Sequence, residues 1–480
     1  MLVQQFFVTG IAHSSYLLGG TKTCAIVDPS RDVDVYLDAA KSLGMKITHI
    51  LETHLHADFI SGHLELAAKT GAIIYAPKKA QCQFNHTPLA DGDTVEIEDM
   101  ALSVLETPGH TPEHISYVVV DHARGPDPVA VFCGDTLFVG DVGRPDLFPG
   151  KAQELAFALY ESLHEKLLKL PDFCEVYPAH GAGSLCGRAL GAKRTSTIGY
   201  ERKHNGALQI KDRDEFIRSL LTDMPAAPDH FSRCSAINAS GPALLENLPV
   251  LKAFNPASFD DMTKRKETIV VDVRPYDAFG GQHVPGSYHL DLAGNFATFA
   301  GWILPPEKEI LLVVPDSGQA EEAAVWLRRV GHDRIVGYLK DGMFAWAMAG
   351  LPAAHVGQVS VQELREMITG GRNMTIVDVR APSEYEGFHI EGAVNIPVPD
   401  LRTRFNELDP VIPTVLLCGS GIRSSLGTSI LKQHGFKEVL NGAGGMMAYA
   451  EAGYGPECPM CVTPHGPHFQ GKKIELIPGA

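Results

Sequence analysis

The sequence lacks three features that mark particular classes of protein. It has no apolar run approaching the roughly 18 residues that a membrane helix needs, so no membrane association is expected. Its N-terminus lacks the basic, apolar and cleavage regions of a secretory signal peptide. It has no basic excess, because 57 acidic and 41 basic residues give a formal net charge of −16. That balance argues against nucleic acid as a partner.

Cysteine is also scarce, with nine residues scattered over 480 positions. An odd, irregular set does not build a disulfide framework and is typical of a reducing compartment, so we expect a cytoplasmic protein. The length suits about three domains of ~150 residues, each able to bury its own core. A homo-oligomer is the expected assembly, although the sequence does not give the number of subunits.

Candidate metal ligands follow four short apolar runs. The runs cover 47–51, 102–105, 129–132 and 174–177, and their Gly and Pro boundaries predict buried strands. Ligands on the loops after such strands can converge on one point. A lone His is usually an isolated core or surface residue, but a set in this order favours a metal site. The set comprises His54, His56 and Asp58 in THLHADF, then His110, Asp135 and His180.

Residues 1–245 resemble the metallo-β-lactamase family, which carries the HxHxD motif and later ligands in this order. The resemblance implies an αββα sandwich. Dinuclear hydrolases of the family, glyoxalase II among them, have a His directly after the Asp of the motif. Here that residue is Phe59, which has no lone pair. A second ion would keep only Asp58, His180 and a shared Asp135, so a single ion is favoured.

By pattern this region is most similar to the persulfide dioxygenases. That resemblance implies one Fe(II) held by His54, His110 and Asp135, with positions left for O2 and a substrate sulfur. His56, Asp58 and His180 would orient the ligands and hold water. Arg144 is expected to bind the carboxylates of a thiol cosubstrate, with a loop salt bridge as the alternative. If this domain were instead a glyoxalase-type hydrolase, its metal ions would be zinc.

A second candidate site lies far along the chain in VLLCGSGIRSS, residues 415–425. An apolar strand ends at Cys418, a Gly/Ser-rich loop follows, and a helix is predicted over 426–434. Backbone N–H groups and the helix N-terminus would stabilise a thiolate, which makes Cys418 a candidate nucleophile. The alternative is an inert buried cysteine at a strand end. Arg423 and the composition of the loop favour the nucleophile.

This segment resembles the rhodanese family, in which a loop cysteine carries a sulfane sulfur as a persulfide. TIVDVR at 375–380 and HIEGAVNIP at 389–397 match motifs of that family. The related phosphatases have five residues between Cys and Arg, whereas four separate Cys418 from Arg423, which favours a single sulfur over phosphate. The resemblance implies catalytic roles for Cys418 and Arg423 and substrate binding by the loop residues Gly419, Ser420, Gly421, Ile422 and Ser424. Gly419 stands where many rhodaneses carry Arg.

A weaker copy of this unit precedes it, which indicates an internal repeat of about a hundred residues. In LLVVPDSG, residues 311–318, the cysteine position is assigned to Pro315, so this copy is predicted to be inactive and to serve structure or docking. The predicted fold is α/β and multidomain. It has an N-terminal sandwich (1–245), an inactive rhodanese-like domain (258–355), an active rhodanese domain (359–456) and a tail (457–480). We assign no role to Cys458 and Cys461 of the tail.

Together the two resemblances imply a persulfide dioxygenase fused to a sulfurtransferase. A low-molecular-weight persulfide, of glutathione, coenzyme A or a similar thiol, would be oxidised by O2 to sulfite at Fe(II). Cys418 would then link persulfide, sulfite and thiosulfate, as in sulfide detoxification. One alternative is a dinuclear thioester hydrolase of the glyoxalase II type fused to a sulfurtransferase. Another is a non-catalytic sulfur carrier or scaffold.

Overall fold

The computed structural model describes residues 1–454 except 189, 223, 225 and 226, together with the backbone of 460–463 and 466–469. The chain forms two compact units. The first contains residues 1–250, 295–307 and 321–335, and the second contains the other described residues. Among the described helices, none has the length and apolar character needed to cross a membrane.

The first unit is built on two six-stranded sheets, each with its strands as neighbours in chain order. The first sheet contains β1 (Leu2–Val8), β2 (His13–Gly19), β3 (Thr23–Val27), β4 (Lys46–Leu51), β5 (Ile73–Pro77) and β6 (Thr87–Leu89). The second contains β7 (Thr94–Ile97), β8 (Met100–Glu106), β9 (Ile115–Asp121), β10 (Pro128–Gly134), β11 (Glu175–Pro178) and β12 (Ser196–Thr197). The four predicted strands are present as β4, β8, β10 and β11.

The two sheets pack face to face with helices outside. Leu18 of the first sheet and Leu102 and Phe132 of the second belong to one buried cluster. Outer clusters join Tyr36 to the first sheet and Leu159 to the second. The predicted αββα sandwich is therefore confirmed. The helices of this region are α1 (Asp34–Ser42), α2 (His63–Thr70), α3 (Ala152–Glu161), α4 (Ile198–His204), α5 (Gly206–Gln209), α6 (Arg213–Leu221) and α7 (His230–Ser240).

The rest of the described chain contains two five-stranded sheets with the same strand order, which confirms the internal repeat. The first repeat contains β13 (Lys252–Phe254), α8 (Pro256–Thr263), β14 (Thr268–Asp272), α9 (Tyr276–Gly281), β15 (Tyr288–His289), α10 (Phe296–Ile303), β16 (Glu309–Val313), α11 (Ser317–Arg329), β17 (Ile335–Leu339) and α12 (Gly342–Met348). The second contains β18 (Gly357–Val359), α13 (Val361–Thr369), β19 (Thr375–Asp378), α14 (Pro382–Gly387), β20 (Val394–Asn395), α15 (Leu401–Arg404), β21 (Thr414–Leu417), α16 (Ile422–Gln433), β22 (Val439–Gly442) and α17 (Gly445–Glu451).

Strand register corrects one sequence assignment. Asp272 pairs with Val313 in the first repeat, and Asp378 pairs with Leu417 in the second. The position equivalent to Cys418 is therefore Val314, and Pro315 lies one residue further on. Neither residue has a thiol, so the reason for predicting an inactive copy is unchanged.

Two further points concern the helix after Cys418 and the tail of the chain. The helix after Cys418 begins at Ile422, four residues earlier than predicted, because Gly421 takes a left-handed conformation (φ 99°) that ends the loop there. In the tail, β23 (Met460–Thr463) pairs with β24 (Gly466–Phe469). Cys458 and the side chain of Cys461 lie outside the described part of the structure.

Candidate functional site

Three predicted metal ligands meet at one point. His54, His110 and Asp135 each follow the end of a strand, namely β4, β8 and β10. Nε2 of His110 lies 3.3 Å and Nε2 of His54 lies 3.8 Å from Oδ2 of Asp135. All three side chains are buried. These same three atoms have no hydrogen-bond partner among the described residues.

This trio fits a metal ion. A buried polar atom left unpaired costs ~1–3 kcal/mol, whereas an ion between these atoms would engage all three. Burial lowers the pKa of His54 and of His110, which keeps each imidazole neutral, as a ligand must be. Burial opposes ionisation of Asp135, but His180 and His110 hold the pKa of its carboxyl well below the usual range. Two imidazoles and a carboxylate suit iron or zinc.

Hydrogen bonds fix the orientation of these ligands. Nδ1 of His110 lies 2.9 Å from the backbone oxygen of Arg144. Nδ1 of His54 lies 2.9 Å from Oγ1 of Thr53, whose hydroxyl donates to Asp28. The backbone N–H of Asp135 donates to Nε2 of His114. Such outer contacts hold the ligand rings in place.

Sequence reasoning missed three of these supporting residues. Asp28 directly follows β3, as Asp135 directly follows β10, and His114 lies four residues after His110. Thr53 belongs to the THLHADF stretch, in which the pattern marks only the His and Asp residues. The strand-end position of Asp28 was a usable signal, whereas nothing in the sequence assigns His114 to the backbone of Asp135.

His180 and Asp58 extend the trio on the side of Asp135, and His56 lies on the side of His54. Nδ1 of His180 lies 2.7 Å from Oδ1 of Asp135, and its Nε2 lies 2.8 Å from Oδ2 of Asp58. Burial disfavours a charge on His180, yet the two carboxylates raise the pKa of its imidazole well above the ordinary value. Nε2 of His56 instead lies 3.1 Å from Oδ1 of Asp28. His180 is thus placed to orient Asp135, whereas His56 contacts Asp28, the carboxylate that accepts a hydrogen bond from Thr53 beside His54.

Phe59 lies next to the contacts that link Asp135, His180 and Asp58. It is fully buried, and its ring centroid lies 4.0 Å from that of His13 and 4.5 Å from that of His56. Ligand atoms of Asp58, His180 and Cys186 lie within 4.8 Å of one another. Cys186 was not predicted to be near the site. A second ion there would have one carboxylate, one imidazole and one thiol, because Phe59 offers no ligand.

Arg144 is engaged inside its own loop. Its guanidinium binds both carboxylate oxygens of Asp146, at 2.6 and 2.7 Å, and also donates to the backbone oxygen of Leu185. The side chain is fully buried. These contacts correspond to the loop salt bridge that the sequence left open as an alternative. Binding of a cosubstrate carboxylate by Arg144 stays a prediction, and it would have to displace Asp146.

The cysteine loop of the second unit surrounds Cys418 with donors. Its Sγ accepts hydrogen bonds from the backbone N–H of Gly421 at 3.1 Å and from the hydroxyl of Ser424 at 3.3 Å. The sulfur lies at the N-terminus of α16, where the helix dipole favours negative charge. The backbone N–H of Met446 donates to the carbonyl of Cys418 and fixes the loop. These donors would stabilise a thiolate at this position.

Arg423 is held by a carboxylate that the sequence did not identify. Its guanidinium makes two contacts of 2.7 Å with Glu384, at the start of α14. An anionic acceptor would therefore compete with Glu384 for this guanidinium. If residue 419 had a side chain, its Cβ atom would contact only one group among the described atoms. That group is the Arg423 guanidinium, at 3.4 Å.

Comparison with known proteins agrees with this geometry. Residues 8–180 match the family model of the metallo-beta-lactamase superfamily, and residues 255–349 and 360–452 match that of the rhodanese-like domain. Persulfide dioxygenase ETHE1, mitochondrial, of Homo sapiens is 32% identical over 228 residues, which cover 45% of this chain and 80% of that protein. The chain belongs to the metallo-β-lactamase superfamily and carries two rhodanese-like domains.

The metallo-β-lactamase domain also resembles hydrolases. Hydroxyacylglutathione hydrolase of Rhodospirillum rubrum is 40% identical over 162 residues, which cover 33% of this chain and 58% of that protein. A longer match is a solved structure titled metallo-beta-lactamase from Staphylococcus aureus, which is 36% identical, with a TM-score of 0.64, and covers 71% of this chain and 99% of that chain. This coverage exceeds the metallo-β-lactamase domain and therefore includes part of the rhodanese-like region. The predicted fold class is confirmed by these matches, whereas both kinds of chemistry occur among the relatives.

Replacing Phe59 tests whether this residue limits the number of bound ions. We expect Phe59→His to raise the metal content of the metallo-β-lactamase domain from one ion per chain towards two, because the new imidazole would join Asp58 and His180. The metal content is measured by mass spectrometry of protein purified with and without added zinc. Phe59→Leu is the control, since it removes the ring without adding a ligand. An unchanged metal content in Phe59→His would show that Phe59 does not set the number.

Proposed function

We propose that the metallo-β-lactamase domain oxidises the outer sulfur of a thiol persulfide with O2 at one Fe(II). The balanced reaction takes a persulfide RSSH, O2 and H2O to the thiol RSH, sulfite and two protons. The observation that carries this proposal is the convergence of three unpartnered ligand atoms, from His54, His110 and Asp135, beside Phe59. The similarity to persulfide dioxygenase ETHE1 over 80% of that protein supports it.

The residues around the trio orient its ligands and exclude water. Bound iron would supply adjacent positions for O2 and the substrate sulfur. His180 holds Asp135 through a 2.7 Å contact, and Asp58 holds His180 from its other ring nitrogen. The backbone oxygen of Arg144 fixes the ring of His110. The buried ring of Phe59 excludes water from the position where the dinuclear hydrolases have a ligand.

The second rhodanese-like domain would transfer sulfur through Cys418. Its thiolate attacks the outer sulfur of RSSH, the S–S bond of the substrate breaks, and RSH leaves with the proton. Sulfite then attacks the outer sulfur of the Cys418 persulfide, which yields thiosulfate and restores the thiolate. The donors from Gly421 and Ser424 stabilise the thiolate as it leaves.

Oxygen uptake combined with metal analysis tests this proposal. Protein made in iron-supplemented cells is expected to contain one iron per chain. It should consume one O2 for every two molecules of glutathione persulfide when thiosulfate is the product, and one O2 for each molecule when sulfite is the product. The measurement uses an oxygen electrode, with sulfite and thiosulfate determined in the same sample. S-lactoylglutathione, a thioester, is the control substrate and should not be hydrolysed.

The hydrolase alternative rests on the similarity to hydroxyacylglutathione hydrolases. It requires two ions and no O2, and the second ion would have to use Cys186 beside Asp58 and His180. Two zinc ions per chain, hydrolysis of the thioester and no oxygen uptake would therefore replace the dioxygenase assignment.

A further inference from the structure

An ion pair accompanies the thiol in the second rhodanese-like repeat. Arg423 lies five residues after Cys418, and its two terminal nitrogens each contact the Glu384 carboxylate at 2.7 Å. The first repeat has Val314 at the position equivalent to Cys418, and the residue five positions later is Gln319. The repeat without the thiol therefore also lacks this guanidinium.

The first repeat also lacks the carboxylate of this pair. Arg274 and Arg380 each bind the aspartate two residues earlier through two nitrogens, so these arginines are equivalent in the two repeats. The residue four positions later is Ala278 in the first repeat and Glu384 in the second. Both repeats nevertheless have the same strand order. The fold forms without a Glu–Arg pair at this place, which points to a role for the pair in the chemistry of the thiol.

The ion pair cancels the one formal charge of the cysteine loop. Residues 419–422 are uncharged, and Arg423 is the first charged residue after Cys418. Burial opposes ionisation of Glu384, but Arg423 lowers the pKa of its carboxyl below the ordinary value, so the carboxylate is charged at neutral pH. Arg423 lies close to the loop, because a Cβ atom at residue 419 would be 3.4 Å from its guanidinium. Removal of the Glu384 charge would therefore leave an uncompensated positive charge beside the loop.

Sulfur donors differ in the negative charge that they bring to this loop. The two sulfurs of a thiol persulfide carry one negative charge at most, whereas thiosulfate carries two. The Cys418 thiolate is itself negative, so it repels a dianion more strongly than a monoanion unless a nearby cation offsets the difference. Arg423 cannot provide that offset in full while Glu384 is bound to it.

We infer that Glu384 makes Cys418 selective for sulfur donors with one negative charge or none, such as a thiol persulfide, over the doubly charged thiosulfate. This inference rests on the proposed function, because it names the donor class of the same cysteine. Withholding an attraction from the competing ligand is a general source of specificity. When thiosulfate is the donor, its outer sulfur bonds to the Cys418 thiolate, the S–S bond of thiosulfate breaks, and sulfite leaves with both negative charges. Formation of thiosulfate is the reverse of this step, so Glu384 slows both directions.

Two donors of similar shape test the effect of charge. Methanethiosulfonate has a methyl group in place of one oxygen of thiosulfate and carries one negative charge fewer. Thiocyanate formation from each donor and cyanide is measured with the full-length protein. For Glu384→Gln we expect kcat/KM for thiosulfate to rise at least about tenfold relative to that for methanethiosulfonate. The glutamine keeps the shape of the side chain and an oxygen that can accept from the backbone N–H of Ala381, as Oε2 of Glu384 does.

Two further variants show whether the released guanidinium causes this change. Arg423→Gln added to Glu384→Gln should return the ratio of the two kcat/KM values to that of the wild type, because both charges are then absent. Glu438→Gln is the matched control and should leave the ratio unchanged. Glu438 contacts Arg372 at 2.7 Å, and its carbonyl accepts from the backbone N–H of Thr414, at the end of β21 opposite to the cysteine loop.

Alkylation of Cys418 separates this inference from the proposed function. Iodoacetate is negative and iodoacetamide is neutral, and each loses iodide as the thiolate forms a thioether with it. The rates are measured by mass spectrometry of the peptide that contains Cys418. Glu384→Gln should raise the rate with iodoacetate at least about threefold relative to that with iodoacetamide.

The outcomes distinguish the two claims. If the wild type forms no thiocyanate from any donor, glutathione persulfide included, the proposed sulfur transfer fails, and the alkylation ratio alone decides the inference. The inference is overturned if Glu384→Gln leaves the alkylation ratio at the wild-type value. It is also overturned if thiocyanate is formed and Glu384→Gln leaves the ratio of thiosulfate to methanethiosulfonate unchanged.

Discussion

Cys418→Ser will leave oxygen uptake with glutathione persulfide within about twofold of the wild type and change the final product from thiosulfate to sulfite. The reason is that the two reactions use separate groups. The metal trio belongs to the first unit and Cys418 to the second. A serine hydroxyl cannot form a persulfide, so sulfur transfer should fall by roughly 10³-fold or more. The products are separated and quantified after derivatisation of the thiols.

Two comparisons make the Cys418 result specific. Cys174→Ser changes another buried cysteine, which is not close to either candidate site, and thiosulfate formation should remain. Ser424→Ala keeps the nucleophile and removes one hydrogen bond to its sulfur, so a smaller loss of sulfur transfer is expected. If Cys418→Ser still forms thiosulfate at the wild-type rate, Cys418 is not the sulfur carrier.

His110→Ala should abolish iron binding and oxygen uptake together. The variant keeps only His54 and Asp135 of the trio, and loss of a direct ligand should weaken iron binding by at least roughly 100-fold. Sulfur transfer from thiosulfate to cyanide should continue, because it depends on Cys418. Iron is measured by mass spectrometry, oxygen uptake with an electrode, and sulfur transfer by the colour of the iron thiocyanate complex.

The control for His110→Ala is an exposed histidine of the same domain. His122 lies in the turn after β9, and His122→Ala should keep both iron and oxygen uptake. Asp135→Asn gives a second test, since the amide keeps the shape of the side chain but not its charge. Full iron content in both His110→Ala and Asp135→Asn would show that iron is held elsewhere.

The inactive repeat illustrates how a duplicated domain can be retained without its chemistry. Its position equivalent to Cys418 is Val314, which has no thiol, and on this ground we predict that it carries no sulfane sulfur. Arg329 nevertheless hydrogen-bonds the residue that follows the metal motif, and Gly301 packs against His230. Variants of these residues would disturb the metal centre although they lie more than 160 residues beyond Asp135, the last ligand of the trio, in the sequence.

The sequence by itself determined the positions of both candidate sites. His54, His110 and Asp135 could be identified because each lies on the loop that follows a short apolar strand, and strand ends converge in a sandwich of this kind. Cys418 could be identified because a strand, a glycine-rich loop and a helix form a continuous segment. Local patterns of this kind persist in the folded protein because neighbours in the chain remain neighbours in space.

Only the tertiary structure decided how these centres are supported. It placed His56 with Asp28, engaged Arg144 with Asp146, and paired Arg423 with Glu384. Arg144 and Asp146 share one loop, so the sequence could offer their ion pair as an alternative. The other partners are not marked by spacing or periodicity, because each contact depends on how separate elements pack, and packing joins residues that the linear pattern leaves unrelated.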